Sequence, residues 1–427
     1  PMYWWSNMAA PESPETRVIA PATSAYSFGY QAGSLFVAPI PQVDDTDVSY
    51  TTNVSRAADF FFHIPDRERH WITALDGQGK GLVQASTPRL QGRKLFLWGM
   101  GSGGRTWQTF LSQPGVTYLE IQAGLARTQT EHLRMPPHAQ WTWLEAYGLM
   151  EADAEPVHSQ SWSAAQHAVR GRLDALISEA TLLAEHQASA AWTDNAPIDL
   201  FQSGSGWGAL EQIRRQTAGE SVPIMTGTPF PETDLDEEQA PWLALLQDGA
   251  FPELDPDVEP LGYMVQDEWR DLLEQSIASG SSQNWAAWYH LGVMRYHIND
   301  QEGAHSAWAA SMALRPTPWA QRNLALLAQL QGDHATAADG YIAACRQRPA
   351  LQPLAAECGT ALIQAERHDE WLTLINELPG EVRRAGRIRL LEAQAALAIK
   401  DFDQVERIFI DPPVVADLRE GERSLSQ

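Results

Sequence analysis

The chain has 427 residues, 44% of them hydrophobic, enough for two or three domains with cores of ordinary size. Its 30 Lys and Arg against 54 Asp and Glu give a formal charge of −24, which repels nucleic acid and anionic lipid and argues against both as partners. No apolar run reaches the roughly 18 to 20 residues that span a bilayer, and Cys345 and Cys358 are too few for a disulfide framework, so a reducing, cytoplasmic setting is expected.

The opening residues, Pro1-Met2-Tyr3-Trp4-Trp5-Ser6-Asn7, have neither the basic start nor the apolar centre of a signal peptide. They read as the interior of a domain, with the expectation that an upstream half precedes them. From residue 1 to about 155 the sequence is rich in Gly, Pro, aromatic and β-branched residues. Short apolar runs at 35–38, 60–64, 94–98 and 118–123, separated by turn residues, predict an antiparallel β-sandwich.

Within that region, Gly99 to Arg105 is a Gly-rich stretch before a short helix, Thr106 to Leu111, which carries Trp107. It has neither the dinucleotide fingerprint nor the Lys-Ser/Thr ending of a phosphate loop, so it reads as a hairpin loop. The segment Thr117 to Ala123 alternates: Leu119, Ile121 and Ala123 face a core, while Tyr118, Glu120 and Gln122 face away. A carboxylate with an amide and a ring beside it is suited to holding and deprotonating a sugar hydroxyl. Arg127, Gln129, Glu131 and His132 follow in a polar loop within reach of a ligand.

A second strand is predicted over Trp141 to Tyr147, with Trp141, Trp143, Glu145 and Tyr147 on one side. Flat rings beside a carboxylate resemble a carbohydrate platform, although aromatic residues serve ordinary cores equally well. If Glu120 and Glu145 face one groove, they form an acid and base pair whose separation decides between retaining and inverting glycoside hydrolysis.

Ser163 to about Ala191 has helical spacing and no Pro. A loop at Ser203 to Gly208 precedes a short helix, Ala209 to Arg215, and the acidic stretch Gly227 to Glu238 reads as a solvated linker. Residues 156–283 are thus expected to be a helical and acidic connector. Beyond it, Ala304, Trp308, Ser311 and Pro316 recur as Ala337, Tyr341, Ala344 and Pro349, each 33 residues on. That is the period of helix-turn-helix repeats, and about four hairpins are expected over 284–410, followed by a tail at 411–427. Such stacks offer elongated concave surfaces for peptides, neighbouring subunits or self-association.

The twelve histidines never take the His-Glu-x-x-His form, and His63 with His70, or His132 with His138, lack ligand spacing. No metal and no cofactor are expected. A Gly-x-Ser-x-Gly elbow is absent, so serine hydrolysis is not supported.

Three segments, Tyr3-Trp4-Trp5-Ser6-Asn7, Arg93 to Gly99 and Tyr118 to Gly124, resemble a bacterial family catalogued as domain of unknown function 5107, often fused to tetratricopeptide repeats. That family is similar to the galactose-mutarotase-like β-supersandwich, of which this chain would carry the C-terminal half. The resemblance implies carbohydrate chemistry. Glu120-Ile121-Gln122 is similar to the Glu-x-Gln at the catalytic base of aldose epimerases, whereas Tyr3 to Asn7 lacks the histidine those enzymes carry.

The expectation drawn from all of this is a glycoside hydrolase or related sugar-processing enzyme. Glu120 serves as base or nucleophile, Glu145 or His132 as its partner, and Trp4, Trp5, Asn7, Trp107, Tyr118, Gln122, Arg127 and Glu131 hold the sugar. The alternatives are a non-catalytic sugar-binding scaffold whose repeats bind protein, and an epimerase-like enzyme with a relocated acid.

Overall fold

The computed structural model describes residues 4–29, 34–113, 115–137, 139–192, 195–222 and 227–415. Tyr3, His138 and the tail from residue 416 lie outside the described residues. Contacts group the chain into two units, Pro1–Asn195 and Ala196–Gln427, a division that differs from the sequence-based one at 155 and 283.

The strands of the first unit are β1 (Trp5–Pro11), β2 (Arg17–Ile19), β3 (Ser24–Gly29), β4 (Ser34–Pro39), β5 (Gln42–Val43) and β6 (Thr46–Asp47), then β7 (Ala58–Phe62), β8 (Trp71–Leu75), β9 (Lys80–Ser86), β10 (Gly92–Leu97), β11 (Tyr118–Gly124) and β12 (Glu145–Glu151). A six-stranded sheet runs β1-β11-β10-β7-β3-β4 and a four-stranded sheet runs β12-β9-β8-β2, with every pairing antiparallel. Alternation explains the layering. Leu119 and Ile121 of β11, Leu95 and Leu97 of β10 and Phe60 and Phe62 of β7 share one core with Ile72, Leu75, Val83 and Met150 of the smaller sheet. The four apolar runs read from sequence fall in β4, β7, β10 and β11.

Helix α1 (Ser102–Leu111) starts four residues earlier than the sequence suggests, and the short α2 (Ala154–Val157) follows β12. Next comes α3 (Trp162–Leu176), which buries Trp162, Ala165, Val169 and Leu173 in the sandwich core at helical spacing. Ser161 caps it, accepting from the Ala164 amide at 3.3 Å. The single helix expected to about Ala191 is two: Ser178 accepts from the Thr181 amide at 3.0 Å and starts α4 (Glu179–Ser189). These helices belong with the sandwich unit because α3 closes its core.

The second unit opens with α5 (Gly206–Thr217). The acidic stretch after it is not a solvated linker. The Phe230 ring lies against Gly204 and Gly208, where an added Cβ would come within 2.2 Å of it, and the Gly204 amide donates to Pro229 at 2.9 Å. Helices α6 (Ala240–Asp248) and α7 (Asp267–Ala278) put Trp242, Trp269 and Leu273 into a core with Trp285 and Leu291 of α8 (Trp285–His297). They extend the array upstream of the expected first repeat.

The hairpins are α8 with α9 (Gln301–Leu314), α10 (Pro318–Leu330) with α11 (His334–Gln347), α12 (Gln352–Gln364) with α13 (His368–Leu374), and, after α14 (Gly380–Arg384), α15 (Gly386–Ala398) with α16 (Phe402–Ile410). Each turns through one left-handed residue, Asn299, Gly332, Glu366 and Lys400. Asp300, Asp333 and Asp401 then cap the second helix, accepting from Gly303, Thr336 and Gln404 amides at 2.9, 3.1 and 3.0 Å. Arg367 stands in the third place with no side-chain cap, one reason that hairpin reads as looser. The 33-residue register holds: Ala304, Trp308 and Ser311, like Ala337, Tyr341 and Ala344, are all buried. Among the described residues no helix is long and apolar enough to cross a membrane.

Candidate functional site

The face of the six-stranded sheet turned away from the core carries the polar residues that alternation sets opposite Leu119 and Ile121. Cross-strand register places Asn7 beside Gln122 and Gln122 beside Lys94, while Glu120 lies between Ala9 and Phe96. The side chains bond in a row. Asn7 Nδ2 donates to Glu120 Oε2 at 2.8 Å and Gln122 Nε2 donates to the same oxygen at 2.9 Å. Gln129 Nε2 donates to Gln122 Oε1 at 3.0 Å, and Lys94 Nζ donates to Gln129 Oε1 at 2.8 Å. Lys94 Nζ lies 2.7 Å from Asp59 Oδ1, both side chains being at most 6% exposed. The ammonium also sits 5.3 and 5.4 Å from the Phe61 and Phe96 ring centres.

Aromatic rings border this row. Phe96 meets Trp98 edge-on at 4.7 Å, Trp98 stacks on Trp107 of α1 at 6.2 Å, and Tyr118 meets Trp98 edge-on at 6.1 Å. Trp5 packs onto Gly124 and Gly92, which have no side chain. A Cβ on either would come within 2.2 or 2.6 Å of its indole. Of the residues expected to hold a sugar, Trp5, Asn7, Tyr118 and Gln122 share one sheet face with Glu120, the expected base, and Trp107 of α1 stacks beside them.

Glu145 lies elsewhere. It starts β12 in the smaller sheet and accepts from Ser6 Oγ at 2.7 Å, Gln84 Nε2 at 3.1 Å, Trp4 Nε1 at 3.5 Å and the Tyr147 hydroxyl. Ser6 points to the core side of β1, the side opposite Asn7. The two carboxylates are therefore on opposite faces of the larger sheet, and the acid and base pair expected of them is not formed. Burial and the bond to Glu145 push the Tyr147 hydroxyl up to about 12, so it stays a proton donor to that carboxylate.

The strand expected from Trp141 begins only at Glu145. Trp141 and Trp143 precede it and pack on Leu90, Ala123 and Leu125, with the Arg89 guanidinium 5.0 Å over Trp141. The aromatic stripe is core packing, except that Trp4 meets Trp143 at 5.7 Å near Glu145. On the polar loop, Glu131 accepts from the Arg127 amide at 2.9 Å and Arg127 binds Asp66 at 2.9 Å. His132 is exposed on the same loop, while the groups bonded to Glu120 are Asn7 and Gln122. Among the described residues no group of three or more His, Cys, Asp or Glu is placed to hold a metal ion.

Sequence reasoning missed the roles of Asp59, Lys94, Ser6 and Gln84. A lysine in the apolar run Lys94 to Trp98 is a visible sign of a second, polar face, but its partner Asp59 emerges only from strand pairing.

No family model matches the sequence, and no curated protein matches it. Among solved structures, a TPR-domain containing protein from Parabacteroides distasonis is similar over 96% of this chain, with a TM-score of 0.54 and 15% identity. This chain spans 62% of that protein's length. A tetratricopeptide repeat protein from Parabacteroides merdae is similar over 33% of this chain and 57% of its own, with a TM-score of 0.30 and 18% identity. The first likeness shows the fold: an antiparallel sheet region followed by tetratricopeptide-like repeats.

Proposed function

We propose that this protein is a non-catalytic binding scaffold, in which the outer face of the six-stranded sheet holds a carbohydrate and the repeat array holds a protein partner. One observation carries the reading. The side chains bonded to Glu120 are amides, which fix and recognise but do not exchange protons, and Glu145 is on the far side of the sheet. A hydrolase needs two carboxyl groups flanking one bond, and an epimerase needs an acid and a base on one sugar ring.

The rings of Trp107 and Tyr118 beside a carboxylate and amides are the composition of a sugar-binding surface. The paired antiparallel sheets are compatible with the galactose-mutarotase-like relationship that the resemblance implies. In the second unit, Tyr289, Trp319, Arg322, Asn323 and Glu357 line a groove of about 240 Å³. Arg322 is braced there by Glu357, with Nε to Oε2 at 2.8 Å, which leaves aromatic and amide groups for an extended peptide.

The test is to assay aryl glycosides and free aldoses for hydrolysis and anomer exchange, and immobilised glycans for binding, with the wild type and Glu120→Gln. Retention on glycans with no turnover is the expected result. Turnover that disappears in Glu120→Gln would make the protein an enzyme.

A further inference from the structure

The row of bonds on the sheet face fixes which atoms remain for a ligand, and from this we infer that the sheet face selects neutral or amino sugars and rejects sugars bearing a carboxylate or phosphate. This inference rests on the carbohydrate reading and deepens it.

The direction of the row is set at both ends. An ammonium has donors only, so Gln129 must turn its Oε1 to Lys94, at 2.8 Å, and its amide nitrogen to Gln122, at 3.0 Å. Gln122 must then offer its Oε1 to Gln129 and its Nε2 to Glu120, at 2.9 Å. A carboxylate has acceptors only, which requires the same orientation from the other end and also turns Asn7 Nδ2 inward, at 2.8 Å. Both amides of the row are used at both ends, and the Lys94 charge is buried against Asp59 at 2.7 Å.

The oxygens left for a ligand are therefore those of Glu120 and Asn7. Asn7 and Gln122 both donate to Oε2 of Glu120, which leaves Oε1 without a donor among the described residues, and Asn7, an exposed residue, keeps its Oδ1. Hydroxyl groups and an ammonium supply donors to these two oxygens. A uronate or a phosphosugar brings a second anion to Glu120, a carboxylate held by two neutral amides, in a chain of net charge −24.

Glu120→Gln tests this without changing shape. Its oxygen must take the two inner donors, so its new amide nitrogen points outward and turns the ligand-facing atom from acceptor to donor. The wild type and this variant are titrated with the methyl glycosides of glucose, galactose and galactosamine and with those of glucuronate and galacturonate. Titrations are followed calorimetrically at low salt.

The expected result is wild-type binding of at least one neutral or amino sugar at least about tenfold tighter than its uronate counterpart. In Glu120→Gln that ratio should fall to about one, with folding unchanged by circular dichroism. Equal wild-type affinity for a sugar and its uronate overturns the inference and leaves the carbohydrate reading standing, as does an unchanged ratio in the variant. Binding of no sugar from either class overturns both.

Discussion

Ser6 and Asn7 are consecutive on β1 and point to opposite faces of one sheet, Ser6 donating to Glu145 and Asn7 to Glu120. One residue of register thus separates two carboxylates that look like partners in sequence. The bond from Ser6 ties the larger sheet to β12 of the smaller one, where Gln84 of β9 bonds the same carboxylate.

The two carboxylates should respond differently to mutation. Glu145→Ala leaves the Ser6 hydroxyl and the fully buried Gln84 amide without their acceptor, and should cost about 1 to 3 kcal/mol. Glu120→Gln keeps an oxygen for both of its donors and should change stability by less than about 0.5 kcal/mol. Denaturant titrations of the two variants beside the wild type check this.

Lys94→Met takes the ammonium away from the buried Asp59 carboxylate, in a face where both side chains are at most 6% exposed, and should cost about 3 to 5 kcal/mol. The double variant Lys94→Met/Asp59→Leu should regain most of that loss, because no charge is left buried. A double-mutant cycle read by thermal unfolding measures the coupling.

Glycine has opposite meanings at different helix positions. A Cβ at Gly292 would come within 2.3 Å of the Trp308 indole, and one at Gly359 within 2.6 Å of Trp371. Gly292→Ala and Gly359→Ala should each destabilise by about 1 to 3 kcal/mol. Gly171, inside α3, has open space around its Cβ position, so Gly171→Ala should stabilise by about 0.5 to 1 kcal/mol. Melting temperatures of the three variants separate these signs.

The hairpin turns make a further prediction. Glu366 and Lys400 hold φ of 57° and 64°, where a side chain is strained, while Gly332 fills the same place at 81°. Glu366→Gly and Lys400→Gly should stabilise the array by up to about 1 kcal/mol, and Gly332→Ala should destabilise it by a similar amount. Chemical unfolding of the variants checks both directions.

Most of the repeat array was legible because its signal is local. Trp308 and Tyr341 stand 33 residues apart and face inward in the first two hairpins. The strands around Glu120 were legible for the same reason, since alternation in β11 needs only neighbouring residues. What could not be read was which strands pair. Lys94 finds Asp59, and Ser6 finds Glu145, 139 residues away, only through the sheet order. The acidic stretch near Phe230 misled because charge suggests solvent, whereas Gly204 and Gly208 make a seat for its one ring.

Acid should weaken the fold through two buried histidines. Burial holds His290 at about 3, packed at 5.1 Å from Trp242 and 5.2 Å from Phe251, and burial with the nearby Arg93 charge holds His70 at about 4. Both folded-state values lie below the ordinary 6.5, so the unfolded chain binds protons first as pH falls. Their contribution is complete above pH 6.5 and is lost as pH drops through the interval down to about 4 and about 3. Between pH 7 and pH 5 stability should fall by about 1 to 2 kcal/mol per histidine. His290→Leu should remove the share due to His290, as read from denaturation midpoints at the two pH values.

The most direct test of the account is hydrogen–deuterium exchange of the whole chain with and without the tightest-binding neutral sugar. Slowed exchange is expected in the peptides covering β1 and β11, with Asn7 and Glu120, and unchanged exchange in β12 and in the helical hairpins. Slowing centred instead on β12 and Trp143, around Glu145, would contradict it and move the site to the other side of the sheet.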